Sequence, residues 1–505
     1  MQPDSQILKY DIMVLGAGLG GLLCAAFLSK EGYRVGVVDK NKQIGGSLQS
    51  FSVKGHRFES AVHYVGSLNP NQTLFRIFNY LGILEELDLQ KLDSTCFDEI
   101  IVGEERFQFA QGYELFQQKL TERFPHQREA IQDYLSYMRD VCLHFPLYNL
   151  ENGDANLKSK VSQDSLADIL DRFIQDSMLK AVLCGHHQLY AGVPDTTPFY
   201  LHALIQNSYI EGSYKFASGS AKLAKVLQDL IHDSGGKVYR NARVIRLKEE
   251  AGKIQELQME DGRIFQADWF ISNIAPGPSF DLLESKLIKP ATRKRIAATP
   301  HTVSAAMLNI VLKKGVLPYV NHNRYYHRSE HIWDDLRPER SGHIQTFGVF
   351  YYQDSEEPGF ASGLSVLVYR PFQEWLEWSN TFRTRGQPQS RGQEYENKKN
   401  ELSREIISGL AHWIPDLASC IETSDLCTPL TYRDYLQIPE GSMYGFQKNV
   451  DDLANTTYTT RTKIPNLLLT GQNINLHGVL GVSVTAVLTC AEILGLDELL
   501  KKMKS

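Results

Sequence analysis

The sequence has few of the features that mark secreted, disulfide-bonded or metal-binding proteins. Its 505 residues include seven cysteines, an odd number, and none of them forms a CxxC pair. This cysteine usage argues against a disulfide framework and a zinc site, and it favours a reducing compartment. The first residues contain no basic segment followed by an apolar run, so no signal peptide is predicted.

The excess of negative over positive charge is also small. The formal net charge is −6, with 22% charged and 42% hydrophobic residues. No long basic stripe and no nucleic-acid motif is present, which argues against a general polyanion-binding role. No Ser-His-Asp arrangement and no metal-ligand spacing stands out, so neither a hydrolase nor a metalloenzyme is indicated and no metal is expected. The length predicts roughly two to four soluble folding units of about 100–200 residues.

The longest run without charge includes the residues from Asn466 to Ala491. Glycine, asparagine and histidine interrupt this run too densely for a lipid-exposed helix. We therefore predict a buried strand, a glycine-rich turn and a helix here.

The clearest motif is Gly16-x-Gly18-x-x-Gly21, which lies between an apolar strand and a helix, with Asp39 at the end of the next strand. The glycines permit a tight turn and close approach of backbone to a pyrophosphate. The helix N-terminus favours the anion, and the acid can bind a ribose hydroxyl pair. Because strand, turn, helix and acid all fall in the expected order, a dinucleotide site is predicted. Aspartate rather than glutamate leaves NAD as an alternative to FAD.

A second motif follows Asp39. Gly45-Gly46 comes six and seven residues later, and then the run from Gly55 to Gly66 contains Phe58-Glu59 and His63-Tyr64-Val65-Gly66. This order resembles the flavoprotein family of carotenoid desaturases, carotenoid isomerases and retinol saturases, and the HYVG run is most similar to the retinol saturase branch. The chain departs from the family pattern at Glu59, Ala61 and Ser47.

Two further blocks support the resemblance. In the middle, Gly219-Ser220, a helix, Gly235-Gly236 and Val244 follow the family order, with Ser220 in place of a glycine. Near the C-terminus, Thr470-Gly471-Gln472-Asn473 precedes His477-Gly478 and a helix, and Asn473 replaces an expected aspartate. The resemblance is weakest across residues 90–200 and 280–425, where a substrate would bind.

The resemblance implies a Rossmann-type α/β fold with a discontinuous FAD-binding domain (1–70, 215–280 and 430–505) and an inserted α+β substrate domain (71–214 and 281–429). It implies bound FAD, with NAD(P)H as a candidate electron donor. The implied cofactor-binding residues are Gly16, Gly18, Leu19, Gly20, Gly21, Asp39, Lys40, Gly45, Gly46, Ser47, Val244, Gly471, Gln472, Asn473, Gly478 and Val479. His63 and His477 are the candidate catalytic residues, and Tyr64 and Tyr444 are candidates for substrate binding.

The expected function is an FAD-dependent oxidoreductase acting on carbon–carbon double bonds of a polyene or isoprenoid lipid, by saturation, desaturation or isomerisation. Two alternatives remain open, an amine-oxidase-like flavoenzyme and a non-catalytic lipid-binding protein of the GDP-dissociation-inhibitor type. The expected location is cytoplasmic, with peripheral contact at the inner face of a membrane as a variant. A packed or turn histidine is the competing interpretation of His63 and of His477.

Overall fold

The computed structural model describes residues 7–152, 163–336, 343–384 and 387–504. Within these ranges the strands, in chain order, are β1 (Ile7–Lys9), β2 (Ile12–Leu15), β3 (Val35–Val38), β4 (Ser50–Val53), β5 (His56–Glu59), β6 (Leu89–Lys91), β7 (Asp98–Val102), β8 (Glu105–Phe109), β9 (Tyr214–Phe216), β10 (Lys237–Tyr239), β11 (Val244–Glu250), β12 (Lys253–Met259), β13 (Ile264–Gln266), β14 (Trp269–Ser272), β15 (Ala305–Leu312), β16 (Asn323–His327), β17 (Thr346–Gln353), β18 (Ala361–Tyr369), β19 (Arg383–Thr384), β20 (Gln387–Pro388), β21 (Ile421–Cys427) and β22 (Leu467–Leu469).

The α-helices of the described residues are α1 (Leu19–Lys30), α2 (Thr73–Leu81), α3 (Tyr113–Arg123), α4 (Arg128–Leu143), α5 (Leu166–Phe173), α6 (Ser177–Leu183), α7 (Phe199–Glu211), α8 (Ala221–Asp233), α9 (Pro276–Asp281), α10 (Pro290–Ala298), α11 (Gly392–Leu410), α12 (Leu417–Cys420), α13 (Pro429–Leu436), α14 (Leu453–Thr456), α15 (Gly478–Leu494) and α16 (Leu496–Lys504).

The Rossmann-like part is a five-stranded parallel sheet in the order β10-β3-β2-β14-β22. Its central strands β2 and β3 are continuous apolar runs with every residue buried, as expected for parallel strands covered on both faces. One face packs against α1, α8 and α15 in a shared apolar core. The other face packs against a smaller sheet with the order β1-β13-β12-β11.

A seven-stranded mixed sheet forms the second large layer, in the order β21-β15-β18-β17-β16-β7-β8. Strands β7 and β8 come from the first half of the chain, and the other five strands lie beyond residue 304. One face of this sheet joins the core formed by α3–α7, and the other face packs against α11. The two large sheets thus draw on alternating parts of the chain, while the predicted domain boundaries stay a prediction.

Most local predictions agree with the structure. The uncharged run contains β22, a turn and α15, as predicted. The segment Arg383–Lys399 is polar, charged and punctuated by glycine and proline, and its sequence predicts an exposed loop. That prediction is wrong from Gly392 onward, because α11 begins there. Its buried residues Tyr395, Leu402 and Ile406 lie at helical spacing, but the surrounding charged residues conceal that pattern in the sequence. In the part of the chain that the structure describes, no helix is long and apolar enough to cross a bilayer.

Candidate active site

The glycine turn after β2 has the geometry that the motif predicts. Gly16 adopts φ +93°, a conformation that favours glycine. A Cβ on Gly21 would lie 2.0 Å from the carbonyl oxygen of Gly16, so any larger residue would push α1 away from the turn. Gly16 and Gly21 therefore shape the turn, and Gly21 lies behind the wall of the cleft that the turn borders.

Asn273, directly after β14, packs its side-chain amide against the glycines of this turn. A Cβ on Gly18 would lie 2.7 Å from Asn273 Nδ2, and a Cβ on Gly20 would lie 2.6 Å from Asn273 Oδ1. Gly471 approaches the same amide, because its Cβ would lie 2.8 Å from Oδ1. One side chain thus brings the N-terminal and C-terminal glycine turns together at the carboxyl edge of the parallel sheet.

Asp39 lies at the end of β3 and faces the cleft. Its Oδ2 accepts the Ala17 N–H at 2.8 Å, and its Oδ1 accepts the Asn41 N–H at 2.8 Å. Burial raises the pKa of Asp39, and the two backbone donors oppose that effect. Lys40 lines the cleft beside it, and burial lowers the pKa of Lys40 to about 8.

The Gly45-Gly46 loop is hydrogen-bonded to the glycine turn. The Gly45 N–H donates to the Ala17 carbonyl at 2.7 Å, and Gly45 has φ +104°. Gly46 and Ser47 then line the cleft, while Gly45 lies outside its wall. The spacing from Asp39 to the two glycines therefore places this loop across the mouth of the turn.

Two helices begin at the cleft without a side-chain cap. Gly18 precedes α1 and His477 precedes α15, and neither position has a side-chain hydrogen bond to the first turn. The first backbone N–H groups of a helix have no intrahelical partner and attract negative charge. The cleft therefore offers donors at both ends, which fits a long anionic ligand with a pyrophosphate.

Fourteen of the sixteen predicted cofactor residues line this cleft. They are Gly16, Gly18, Leu19, Gly20, Asp39, Lys40, Gly46, Ser47, Val244, Gly471, Gln472, Asn473, Gly478 and Val479. Val244 begins β11 beside Ala242 and Arg243, on the same side as Asp39 and Lys40. The residues present thus fit a dinucleotide cofactor, for which Asp39 and the start of α15 would provide contacts at the two ends of the cleft.

A second cavity adjoins the far end of the cleft. Its empty space, counted together with the solvent at its opening, is about 1240 Å³. Aliphatic and aromatic side chains dominate its wall, and no Asp, Glu, Lys or Arg among the described residues lines it. The cleft and the cavity share Ser47, Ala61, Val62, Leu436, Met443, Tyr444, Gly478 and Val479.

His63 lies in the wall of this second cavity, half-buried. Its ring stacks on Phe350 with centroids 4.0 Å apart and planes 6° apart. Its Nδ1 is 3.5 Å from the Tyr352 hydroxyl, and its Nε2 has no hydrogen-bond partner among the described residues. Burial, and then the charge of Lys215, lowers the pKa of His63 to about 3, so its ring is neutral near neutral pH.

His477 and Tyr444 form a stacked pair where the cleft meets the cavity. Their ring centroids are 4.1 Å apart. His477 Nε2 donates to the Leu189 carbonyl at 2.9 Å, and the Tyr444 hydroxyl donates to the Gln188 carbonyl at 2.8 Å. Burial lowers the pKa of His477 to about 4. Both side chains are therefore held in place by backbone carbonyls.

Tyr64 presents its ring to the cavity and its hydroxyl to a buried polar cluster. The hydroxyl donates to Asp98 Oδ2 at 2.8 Å and lies 2.9 Å from the Tyr325 hydroxyl. Asp98, which is fully buried, was not found from the sequence. Tyr325, which lines the cavity, was not found either, because no local motif marks it. Tyr209 and Phe350 also line the cavity, and they fall in the aromatic segments Phe199–Tyr209 and Phe347–Tyr352, which the sequence offers as candidate walls of an apolar channel.

Glu59 and Ser220, two departures from the family pattern, contact each other. Glu59 Oε2 accepts the Ser220 N–H at 2.9 Å and also the Ser220 hydroxyl. Ser50 donates to the same oxygen at 2.9 Å. The acid and the added hydroxyl are thus hydrogen-bonded to each other, and this contact connects the second motif to the start of α8.

Comparisons with known proteins agree with this geometry. Residues 14–81 match the family model of the NAD(P)-binding Rossmann-like domain. The chain is 27% identical to the all-trans-retinol 13,14-reductase of Danio rerio over 96% of this chain and 86% of that protein. It is 23% identical to the chloroplastic prolycopene isomerase of Arabidopsis thaliana over 86% of this chain and 74% of that protein.

The fold also matches solved structures of oxidoreductases. A putrescine oxidase structure with putrescine bound superposes with a TM-score of 0.66 at 14% identity, covering 97% of this chain and 100% of that chain. At this identity the likeness concerns the fold alone.

Proposed function

Because this chain is an oxidoreductase that resembles carotenoid desaturases, carotenoid isomerases and retinol saturases over nearly its full length, we propose that it binds FAD and acts on a carbon–carbon double bond of a polyene or isoprenoid lipid. Among the three reaction types we favour saturation. The HYVG run at His63 and the likeness to retinol 13,14-reductases support that choice.

The observation that carries this proposal is the uncharged cavity at the end of the dinucleotide cleft. A polyene has no charged handle and fits a long apolar site with few polar groups. An ammonium substrate held by a carboxylate is disfavoured, because no Asp or Glu among the described residues lines the cavity. The same observation ranks amine oxidation lower.

FAD would be held by the residues of the cleft. Its pyrophosphate would lie at the start of α1 over Gly16 and Gly18, and its ribose hydroxyls at Asp39. The flavin ring would lie where the cleft and the cavity share their wall, next to Gly478 and Val479. When bound, the flavin supplies two-electron transfer at its N5 atom.

The protein side of the reaction is mainly placement and exclusion of water. The His477–Tyr444 pair fixes the junction between cleft and cavity, since both groups are anchored to carbonyls. We therefore propose His477 as a positioning residue. His63 is neutral, and its Nε2, which has no hydrogen-bond partner among the described residues, lies at the cavity wall. We propose that His63 helps to position the substrate and does not transfer a proton.

The first experiment is an absorbance spectrum of the purified protein, followed by anaerobic reduction and addition of an all-trans polyene. Saturation predicts a flavin spectrum, and bleaching of the polyene as the reduced flavin reoxidises. A change in isomer composition without net oxidation would instead favour an isomerase. A protein that stays colourless after reconstitution with FAD would contradict the proposal and favour the lipid-binding alternative.

Steady-state assays with NADPH and NADH as reductants would then test the electron donor.

We further propose a cytoplasmic protein with peripheral membrane contact, because a polyene substrate partitions into lipid. Co-sedimentation with phospholipid vesicles, compared with and without loaded polyene, measures that contact.

A further inference from the structure

The tyrosines that line the cavity differ in what their hydroxyl groups bind. They are Tyr64, Tyr148, Tyr209, Tyr325, Tyr432 and Tyr444. The hydroxyls of Tyr64 and Tyr325 contact each other at 2.9 Å. The Tyr148 hydroxyl donates to the Leu204 carbonyl, and the Tyr444 hydroxyl donates to the Gln188 carbonyl, both at 2.8 Å. The hydroxyls of Tyr209 and Tyr432, in contrast, have no hydrogen-bond partner among the described residues.

These two hydroxyls are not sealed in the core. Neither oxygen is among the buried unpartnered polar atoms of the described residues, so each keeps accessible surface. Tyr209 lies in the last turn of α7, and its ring packs on that of Tyr64 with centroids 4.4 Å apart. Tyr432 lies in α13. Both side chains line the cavity and pack against the apolar core around it, so the cavity is the open space that their hydroxyls meet.

Both groups are neutral hydrogen-bond donors. Burial raises the pKa of Tyr209 and of Tyr432, and Tyr444 adds to the rise in each case, so both phenols keep their proton at neutral pH. Since Tyr444 influences both, the two phenols belong to the same region of the wall, around Tyr444. A phenol withdrawn from water without a new partner is destabilising. The two hydroxyls therefore favour a ligand that brings an acceptor into the cavity.

We propose that Tyr209 and Tyr432 are specificity-determining residues, which donate hydrogen bonds to an uncharged oxygen of the substrate, either a hydroxyl or a carbonyl. The inference deepens the proposed function and rests on it for the polyene nature of the ligand. A hydrocarbon polyene would leave both donors unpaired, and a site with hydrogen-bonding groups rejects an analogue that lacks the matching oxygen. A carboxylate would accept from both donors, but no Lys or Arg among the described residues lines the cavity to offset its buried charge.

The first test is equilibrium binding to the FAD-reconstituted protein, measured by quenching of its fluorescence. The ligands are all-trans polyenes that differ only at the terminal carbon: an alcohol, its aldehyde, its carboxylic acid and the methyl-ended hydrocarbon. We expect the alcohol and the aldehyde to bind at least about 10-fold more tightly than the hydrocarbon, because the hydrocarbon leaves two donors unpaired. The ionised acid should bind more weakly than the alcohol. A hydrocarbon that binds as tightly as the alcohol would overturn the proposal.

The second test repeats this measurement on variants that lack one hydroxyl. Tyr209→Phe and Tyr432→Phe should each lower the ratio of alcohol affinity to hydrocarbon affinity by about 10-fold, because a phenyl ring needs no partner. Tyr148→Phe is the matched control. It also removes a hydroxyl from the cavity wall, but that hydroxyl already donates to the Leu204 carbonyl, so the ratio should equal that of the wild type. A general loss of stability affects all ligands alike and leaves the ratio unchanged. A wild-type ratio in either of the first two variants would remove that residue from the proposal.

Ligand binding and reaction separate this proposal from the proposed function. Polyenes that bind in the expected order but never reoxidise the reduced flavin would refute the proposed function and leave the role of the two tyrosines intact. Equal kcat/KM values for alcohol and hydrocarbon, in the wild type and in both variants, would support the proposed function and overturn the role of the tyrosines. Neither Tyr209 nor Tyr432 lines the cofactor cleft, so the flavin spectrum and the FAD affinity should be unchanged in both variants.

Discussion

The carboxylate of Asp39 lies at the end of β3, with each oxygen already accepting one backbone N–H. These two bonds hold the side chain in one orientation before any ligand arrives. The remaining lone pairs face the cleft, where a ribose hydroxyl pair would donate to them. The two hydrogen bonds thus fix the turn around Asp39, and the ribose-binding role that we propose for Asp39 would use the same carboxylate.

Asp39→Ala should weaken FAD binding by about 10- to 100-fold. The change removes hydrogen bonds to a charged group, worth roughly 1.5–3 kcal/mol. A fluorescence titration of the deflavinated protein measures the affinity. Asp261→Ala, in the exposed turn between β12 and β13, is the control and should leave FAD affinity unchanged. Equal affinities of the two variants would remove Asp39 from the proposed site.

The protonation state and the contacts of His63 cannot be predicted from its residue type alone. The sequence marks it as a catalytic candidate, but its environment makes it a neutral ring stacked on Phe350. Phe350 lies 287 positions away in the numbering, on β17. The ionisation of His63 is therefore set first by burial among residues distant in the chain and then by the charge of Lys215.

At the scale of elements, the glycine turn depends on distances that only a missing Cβ permits. The contact between Gly21 and the Gly16 carbonyl sets how closely α1 follows β2. The contacts from Gly18, Gly20 and Gly471 to Asn273 set how closely the two glycine turns approach each other. The glycine-lined wall of the cleft is therefore formed by three chain segments, namely the N-terminal turn, Asn273 and Gly471, and the N-terminal motif alone does not form it.

Gly21→Ala should lower the free energy of unfolding by about 1–3 kcal/mol or more, because the added methyl has no space. It should also reduce FAD retention, since α1 must shift. Gly359→Ala is the matched control, because nothing lies within 4 Å of its Cβ position and its φ is not in the positive region. That variant should stay within about 0.5 kcal/mol of the wild type. Thermal unfolding with and without FAD measures both effects, and equal midpoints would contradict the steric argument.

At the scale of the whole molecule, several histidines are packed in the core as neutral rings. His187, His202 and His327 are fully buried. Burial lowers the pKa of His202 to about 3 and that of His327 to about 4, from an ordinary 6.5, and lowers the pKa of His187 as well. In the unfolded chain these rings take up protons below pH 6.5, whereas in the folded chain they do not.

The protein should therefore lose stability as the pH falls from about 6.5 towards 4, because the unfolded state binds more protons in that window. Each histidine contributes up to about 1.4 kcal/mol per pH unit. Urea unfolding at a series of pH values measures the slope, and His202→Gln should reduce it. A flat midpoint over this window would show that these rings are protonated in the folded state.

Residue types and their spacing predict the Rossmann turn, the acid at the end of β3, the Gly45-Gly46 loop and the C-terminal strand, turn and helix. Each of these depends on contacts or dihedral angles within a short stretch of chain, so residue type and spacing suffice to predict them. The family resemblance added the order of these blocks and the expectation of a flavin. The loop predicted at Gly392 was wrong because a mostly charged helix shows little apolar periodicity.

The side chains that surround the cavity are brought together by tertiary packing, and the sequence alone does not predict which of them meet. Asn273 joins two turns, at Gly20 and Gly471, that are 451 positions apart in the numbering. Asp98 contacts Tyr64 and His186, which are 34 and 88 positions from it. These side chains follow no spacing rule, since their neighbours are set by how the seven-stranded sheet and the helical layer pack. Ionisation, hydrogen-bond pairing and cavity shape depend on that packing, because each is a property of the space between distant segments.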